Sequence, residues 1–298
     1  MFPCALFDLH CDTLTSFMDS GADALGNLND PARRGEALSA LAACAQDRDT
    51  LNDCRHQFAL CKIPQAVHWA QCCAVFLPDG LEQKEAMAYY QLHRDSFFRQ
   101  MAKLRRCVLP CRTAVDIEQA WAQGKTAAIL TVENGSALAG RLERVEQLAR
   151  DGVRMITLTW NGENEIGSGH VTDHGLSAFG RAVIPEMERQ GILVDVSHLN
   201  DAGFRDLLDT ARRPFAASHS NARAVCGHPR NLTDEQIREM TARHCLIGLN
   251  FYTAFLRDDG RPACLDDLWR HVEHFLALGA EDCLALGSDA DGADLRCV

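Results

Sequence analysis

The sequence predicts an α/β protein of the (β/α)8 class, a TIM-like barrel. Three observations predict this class: short apolar runs recur along the chain, amphipathic helical patterns lie between most of them, and several runs end in a polar or charged residue. Buried parallel strands are apolar runs, and in a parallel barrel the functional groups emerge where strands end. Eight strands favour closure into a barrel. An open doubly wound sheet is the alternative, with its site at one crevice.

Eight strands are predicted, at residues 4–9, 71–77, 127–132, 154–159, 192–197, 214–218, 245–250 and 283–287. Helices are predicted where apolar residues recur every three or four positions, at 83–105, 141–150, 177–190 and 233–243. Thr233 is the expected N-cap of the last helix, with Gln236 three residues on. Residues 20–70 do not fit one strand–helix unit. We expect a helical insertion there between strands 1 and 2, which either shapes the site or is a solvated excursion.

Length and composition predict one domain over residues 1–298, because 298 residues with 47% hydrophobic content can bury a large core. The formal charge of −11 argues against a nucleic-acid partner, which needs a basic face. No signal-like N-terminus is present and no run approaches the roughly 18 apolar residues of a membrane span, so we expect a cytoplasmic protein without a membrane partner. The 14 cysteines form no CxxC pair and are expected to be mainly buried free thiols, with disulfides or a structural metal as alternatives.

Six residues that can bind a metal or move a proton lie at predicted strand ends: His10, Asp12, Glu133, His198, His219 and Asp289. A single histidine there is more often structural, and an Asp after a Gly-Ser turn is usually a helix cap, but six in the same context predict a site. The remaining candidates lack that context and are assigned to the surface or to the layer behind the ligands: His170, His174, His228, His244, His271 and His274.

The ligand types predict a pair of zinc ions, because zinc favours imidazole and carboxylate ligands and a hydrolytic pair needs a bridging carboxylate. Glu133 is the predicted bridge, with a metal-binding and a catalytic role. His10 and Asp12 would complete one metal, and His198 with His219 the other. Such a pair activates a water and polarises a carbonyl. Asp289 would take the proton from the water and pass it to the leaving amine, which predicts amide hydrolysis without a covalent intermediate.

The segments around these six residues closely resemble those of the membrane dipeptidases, also called renal dipeptidases, a family of metal-dependent amidohydrolases. The matching segments are DLHCDT at 8–13, VENG at 132–135, ITLTWNGENEIGSG at 156–169, GLSAFGRAVIPEMERQGILVDVSHL at 175–199, ASHSNARAVCGHPRNLTDEQIR at 217–238 and LGSDADG at 286–292. The resemblance implies a binuclear zinc dipeptidase with the six residues in the roles given above. It also implies that Arg230 holds the substrate carboxylate and that Tyr252 lines the pocket. A guanidinium suits carboxylate recognition.

Two features depart from the family pattern. Trp160 stands where the best-studied members have a histidine that contacts the substrate and the developing oxyanion. Loss of such a donor can cost a few kcal/mol of transition-state stabilisation. Asn161 or Asn164 is a candidate substitute, and Trp160 itself is expected to contact substrate. The second departure is that only nine residues follow Asp289, so we expect the barrel to lack its final C-terminal helix and to expose apolar strand surface.

Three functions follow from the sequence. The first is zinc-dependent hydrolysis of dipeptides, including those with a C-terminal D-amino acid, which the resemblance implies. The second is hydrolysis of N-acyl amino acids or other small amides, which Trp160 favours. The third is a catalytically silent zinc-binding barrel, against which the presence of Asp289 argues. The expected partner is a small dipeptide. The resemblance also implies a homodimer, although no stretch of the sequence marks an interface.

Overall fold

A computed structural model describes residues 4–18, 33, 34, 36, 47, 49–293 and 295. About half of the insertion predicted at 20–70, all of it before residue 49, therefore lies outside the described residues. Within its described part, Leu60–Lys62 form a short 3-10 helix.

The strands form a closed parallel barrel. They are β1 (Cys4–Asp8), β2 (Val67–Phe76), β3 (Val108–Pro110), β4 (Thr126–Glu133), β5 (Met155–Thr157), β6 (Leu193–Asp195), β7 (Ala216–Ala217), β8 (Leu246–Leu249) and β9 (Leu284–Leu286). The order around the barrel is β2-β1-β9-β8-β7-β6-β5-β4, and the pairing of β2 with β4 closes the ring. All eight predicted strands are confirmed. The additional strand β3 pairs only with β4, outside the ring.

Helices lie between successive strands. They are α1 (Thr13–Met18), α2 (Gln83–Lys103), α3 (Ala114–Ala122), α4 (Glu143–Asp151), α5 (Ala178–Gln190), α6 (Asp201–Thr210), α7 (Asp234–Ala242), α8 (Thr253–Leu256) and α9 (Leu265–Ala277). The four predicted helices are confirmed as α2, α4, α5 and α7. Thr233 caps α7 as predicted, because its hydroxyl accepts from the Gln236 backbone N–H at 3.2 Å and the Gln236 side chain accepts from the Thr233 N–H at 2.8 Å.

The barrel interior supplies an apolar floor beneath the carboxyl ends of the strands. Ala127, Ile129 and Glu133 lie at alternate positions of β4 and so face the same side of the sheet. Ala127 and Ile129 pack with buried residues of other strands, among them Cys72, Met155 and Ala216. The carboxylate of Glu133 is thus held at the end of a rigid, dry strand.

The seam between β9 and β1 is covered less than the rest of the barrel. Leu284–Leu286 are only partly buried, and Cys4 and Ala5 at the start of β1 are exposed. By contrast, the residues of β5 are fully buried.

Most of the described cysteines are free thiols, as expected, but two of them are not. Cys54 and Cys61 form a disulfide with an S–S distance of 2.06 Å, so the expectation of free thiols is wrong for this pair. Cys11, Cys72 and Cys73 are among the buried free thiols. None of the described helices combines the length with the apolar character that crossing a membrane requires.

Candidate metal centre

All six predicted ligand and proton-transfer residues lie at one rim of the barrel. His10 and Asp12 follow β1 and Glu133 ends β4. His198, His219 and Asp289 follow β6, β7 and β9 by two or three residues. Because the strands are parallel, their carboxyl ends meet at the same rim, which brings these side chains together. His198 and Asp289 have φ of 70° and 61°, a left-handed conformation that is uncommon for residues other than glycine and is typical of functional positions.

The two carboxylate oxygens of Glu133 face different imidazoles. Its Oε1 lies 2.9 Å from His198 Nε2 and 3.5 Å from His219 Nε2. Its Oε2 lies 3.5 Å from His10 Nε2. The Nε2 atoms of His198 and His219 are themselves 2.9 Å apart. Glu133 therefore separates one group of nitrogen ligands from another, as a bridging carboxylate would.

The second side of the centre contains His10, Asp12 and Asp289. His10 Nε2 lies 3.2 Å from Asp12 Oδ2 and 4.0 Å from Asp289 Oδ1. His10 belongs to two groups of possible metal ligands. In one group it lies with Glu133 and His219, and in the other with Asp12 and Asp289. Within each group, one ligand atom from each residue lies within 4.8 Å of the others.

The side chains fit a metal centre. Asp12 Oδ1 is buried and has no hydrogen-bond partner in the structure, so its lone pairs are available to a cation. The donor set combines three imidazoles with carboxylates, which suits zinc. Three carboxyl groups this close in a buried site would repel each other without a cation.

The pKa shifts of Glu133, His198 and His219 agree with a metal centre on that side of the site. Burial and the nearby Asp12 carboxylate raise the pKa of Glu133 to about 7. Burial lowers the pKa of His198 and of His219 well below the usual histidine value, and the charge of Arg230 contributes to both shifts. Neutral imidazole is the form that binds a metal.

Hydrogen bonds at Nδ1, the ring nitrogen that faces away from the site, orient His198 and His219. His198 Nδ1 lies 3.0 Å from Asn161 Oδ1, which can only accept, so His198 carries its proton on Nδ1 and turns the Nε2 lone pair toward Glu133. His219 Nδ1 lies 2.7 Å from Ser218 Oγ, which donates to Asp195 Oδ2 at 2.6 Å. Ser218 therefore accepts from His219 Nδ1–H. Both imidazoles are thus fixed in the tautomer that presents Nε2 to the site.

Asp289 is held by a neighbouring amide. Asn250 Nδ2 donates to Asp289 Oδ2 at 3.1 Å and to the backbone oxygen of His219 at 3.3 Å. Burial raises the pKa of Asp289 above the usual aspartate value. A carboxyl group whose pKa is raised in this way is better suited to exchange protons near neutral pH.

Arg230 lies beside the candidate centre and is only 4% exposed. Its Nη2 donates to the backbone oxygen of His219 at a long 3.4 Å, and its Nε has no partner in the structure. Its guanidinium carbon lies 5.3 Å from the centre of the Phe255 ring. A buried cation with unused donors is suited to an anionic ligand.

The other two predicted substrate contacts flank this region. The Trp160 ring lies edge-on to Phe76, and its centre is 6.3 Å from that of His198. Tyr252 packs edge-on against Phe255, with ring centres 4.9 Å apart. The geometry thus places Trp160 near the candidate ligands and Tyr252 near Arg230.

Asn164 is not available to replace the family histidine, whereas Asn161 still has its Nδ2 donor, because the bond to His198 uses only its oxygen. Asn164 Nδ2 donates to Asn134 Oδ1 and to the Leu158 backbone oxygen, both at 2.8 Å, while its Oδ1 accepts from two backbone N–H groups. Asn164 therefore holds the loop together, and its amide is not free for substrate.

The sequence did not predict the roles of several groups around the centre. Asn161, Ser218 and Asn250 bind ligand or proton-transfer residues from behind, but a single polar residue in a loop has no pattern that marks such a role. His228 carries more signal, since it lies in the segment at 217–238 that resembles the family, whereas His170 lies just outside the segment at 156–169. The structure places them beside His198 and Arg230, and both are partly buried.

Sequence comparisons identify relatives of the chain. A family model described as membrane dipeptidase, peptidase family M19, matches residues 3–297. A Klebsiella pneumoniae protein, described as an uncharacterized protein in the pqqA 5' region, is 34% identical over 219 residues, covering 67% of this chain and 81% of that protein. A Schizosaccharomyces pombe protein described as an uncharacterized dipeptidase is 35% identical over 176 residues, covering 57% of this chain and 42% of that protein.

Solved structures share the fold. The dipeptidase AC, a metallo peptidase of family M19, aligns with a TM-score of 0.83 and 25% identity, over 98% of this chain and 86% of that chain. A metallo peptidase from Rhodobacter sphaeroides, solved with a phosphinate mimic of the dipeptide L-Ala-D-Ala, also gives a TM-score of 0.83, at 24% identity over 98% of this chain and 88% of that chain.

Proposed function

As a member of the membrane dipeptidase family, peptidase family M19, the chain is a metallo-dipeptidase, and we propose that it hydrolyses dipeptides with two zinc ions bridged by Glu133. The main support for this proposal is that the carboxylate of Glu133 lies between two groups of imidazoles. Glu133 Oε1 faces His198 and His219, whereas Oε2 faces His10. One zinc would be held by His10 and Asp12, and the other by His198 and His219.

The chain's own residues supply the proton transfer and the rigidity of the site. When bound, zinc lowers the pKa of water and polarises a carbonyl group. Asp289 accepts a proton from the attacking water and delivers it to the leaving amine. Asn250 holds the Asp289 carboxylate through Oδ2, which leaves Oδ1 on the side of His10. Asn161 and Ser218 keep the two later imidazoles in a fixed orientation.

Arg230 binds the free carboxylate of the dipeptide. Its unpartnered Nε and weakly bonded Nη2 form one edge of the guanidinium, and that edge can make two parallel hydrogen bonds to a carboxylate. Because a charged anchor recognises the carboxylate rather than a side chain, we propose that a C-terminal D-residue is accepted as well as an L-residue. The ligand of the Rhodobacter structure suggests L-Ala-D-Ala as a test substrate.

The test is a substrate panel measured with purified, zinc-loaded protein. The panel contains L-Ala-L-Ala, L-Ala-D-Ala and N-acetyl-L-alanine, which lacks a free amino group. We expect hydrolysis of both dipeptides but not of N-acetyl-L-alanine. A chelator should abolish the activity and added zinc should restore it, with two zinc ions per chain by elemental analysis.

The other outcomes point to the alternatives. Turnover of N-acetyl-L-alanine without turnover of the dipeptides would identify an amidohydrolase of N-acyl amino acids. A folded protein with two zinc ions and no turnover of any substrate would indicate a binding protein. Saturation at one zinc per chain would contradict the bridging role of Glu133.

A further inference from the structure

Two buried nitrogen atoms without hydrogen-bond partners lie in the same part of the site. One is Arg230 Nε and the other is His170 Nδ1. A buried polar atom left without a partner is costly, so two of them together indicate a ligand that completes their hydrogen bonds. The Arg230 atom has a role in the proposed function, whereas the His170 atom has none.

His170 is held close to both Arg230 and the candidate metal ligands. Its ring centre lies 6.3 Å from that of His198 and 5.9 Å from that of His228. His228 in turn accepts the backbone N–H of Arg230 through Nδ1 at 3.2 Å. An imidazole carries at least one N–H donor in either protonation state, and Nδ1 is the buried nitrogen of His170 that lacks a partner.

The loop that carries His170 is closed at its base. Val171 N–H donates to the Asn161 backbone oxygen at 3.1 Å, and Gly169 N–H donates to the Gly162 oxygen at 2.7 Å. A Cβ at Gly169 would lie 1.9 Å from the Trp160 backbone oxygen, so only glycine permits this close approach. The same closed loop therefore fixes both Asn161, which orients His198, and His170.

The space beside His170 is open to a bound molecule. A cavity of about 280 Å³ is lined by His170, Thr172, Asn200, Arg205 and Pro229, among others. Pro229 directly precedes Arg230. The cavity thus borders His170 and the residue before Arg230, while Arg230 itself is not part of its lining.

We propose that His170 donates a second hydrogen bond, beside Arg230, to the free carboxylate of the substrate, and so determines the affinity for dipeptides. This inference rests on the proposed function. A carboxylate has about four lone-pair sites, of which an arginine edge occupies two, so it can accept the imidazole N–H as well. The same contact would hold the free amino acid product, which carries the same group.

The test compares wild type with His170→Ala and His170→Asn on L-Ala-L-Ala and on its C-terminal amide, which lacks the carboxylate. For the dipeptide, we expect His170→Ala to raise KM by about 10- to 100-fold, the range for a hydrogen bond to a charged group, with kcat within about twofold. His170→Asn keeps an N–H donor and should recover part of the affinity. For the amide, His170→Ala should change KM little.

His174→Ala is the matched control, because His174 lies four positions away with its side chain 77% exposed. Zinc content is measured for every variant and should not change. An unchanged KM for the dipeptide in His170→Ala would overturn the inference. So would an equal rise in KM for the amide, because that result would place His170 against another part of the substrate.

A failure of the proposed function is recognised separately, because the wild type would then not hydrolyse either dipeptide. In that case, calorimetry of L-alanine and of L-alaninamide binding to the zinc-loaded wild type and His170→Ala decides the inference. Weaker binding of L-alanine alone to the variant supports the contact. Equal binding of L-alanine to both proteins overturns it.

Discussion

The imidazole of His198 donates from Nδ1 to the side-chain oxygen of Asn161 across 3.0 Å. This contact fixes which nitrogen of His198 faces Glu133, although Asn161 itself lies behind the candidate ligands. Outer hydrogen bonds of this kind commonly contribute 10- to 100-fold to metal affinity.

We therefore predict that Asn161→Ala weakens zinc binding at the His198 side by about 10- to 100-fold, measured by competition with a chromophoric chelator. Asn161→Asp keeps an acceptor oxygen and should retain most of the affinity. Glu163→Ala, an exposed position on the same loop, is the control. Wild-type zinc affinity in Asn161→Ala would show that the hydrogen bond does not orient His198.

Replacement of Asp289 separates proton transfer from metal binding. Asp289→Asn preserves the shape of the side chain beside Asn250 but removes the group that accepts a proton. We expect kcat for L-Ala-L-Ala to fall by about 10²- to 10⁴-fold, the usual contribution of general acid–base catalysis, with both zinc ions retained. Steady-state kinetics with zinc analysis measures both quantities, and an unchanged kcat would contradict the proposed role of Asp289.

Gly292 packs so closely against Asp12 and Asp289 that there is no room for a side chain at this position. A Cβ at this position would lie 2.0 Å from Asp12 Oδ2 and 2.9 Å from Asp289 Oδ1. We expect Gly292→Ala to displace the Asp12 carboxylate and to reduce the bound zinc from two ions to one. Gly227→Ala is the control, because the nearest atom to its Cβ would be 3.7 Å away. Full zinc occupancy in Gly292→Ala would show that the Asp12 carboxylate can move without loss of the metal.

The burial of His93 predicts that the stability of the protein depends on pH. Burial in helix α2 lowers its pKa to about 4, and its Nδ1 lies 3.0 Å from the Tyr89 backbone oxygen. The unfolded chain binds a proton at His93 near pH 6.5, whereas the folded chain does so only near 4. The stabilisation is thus complete above pH 6.5 and is lost as the pH falls to about 4, a change of about 3 kcal/mol.

The measurement is the free energy of unfolding by denaturant at pH 7 and pH 4.5, on chelator-treated wild type and His93→Gln. The variant keeps a hydrogen-bond donor but does not titrate. Its free energy of unfolding should therefore fall less between the two pH values than that of the wild type. Equal losses in both proteins would contradict a neutral, buried His93.

The sequence predicted the barrel well because each strand is a local signal. The runs that end at His10, Glu133 and Asp289 are apolar enough to be recognised alone, and parallel strands then bring their ends to one rim. Strand β3 escaped prediction because it has only three residues and pairs on one side. Helix α6 was not predicted either, although Asn200 caps it with a side-chain hydrogen bond from Gly203 N–H.

The layer behind the ligands could not be predicted because it depends on tertiary contacts. Asn161 and Asn164 look equivalent in the sequence, yet one binds His198 and the other closes its own loop. His170 resembles any loop histidine until the hydrogen bonds at the base of that loop place it beside Arg230. The Cys54–Cys61 disulfide likewise joins two residues with no motif between them.

The contact between the first and last strands has a consequence for how the enzyme is made. Ser288 donates to Asp8 through its backbone N–H and its hydroxyl, across a sequence separation of 280 residues. During synthesis, Glu133, His198 and His219 can come together before Asp289 has been made, whereas Asp289 can join His10 only after β9 has been synthesised. By then the five proposed zinc ligands, which include His10 and Asp12, have already been synthesised, so the proton-transfer group Asp289 is the last of the six candidate residues to join the site.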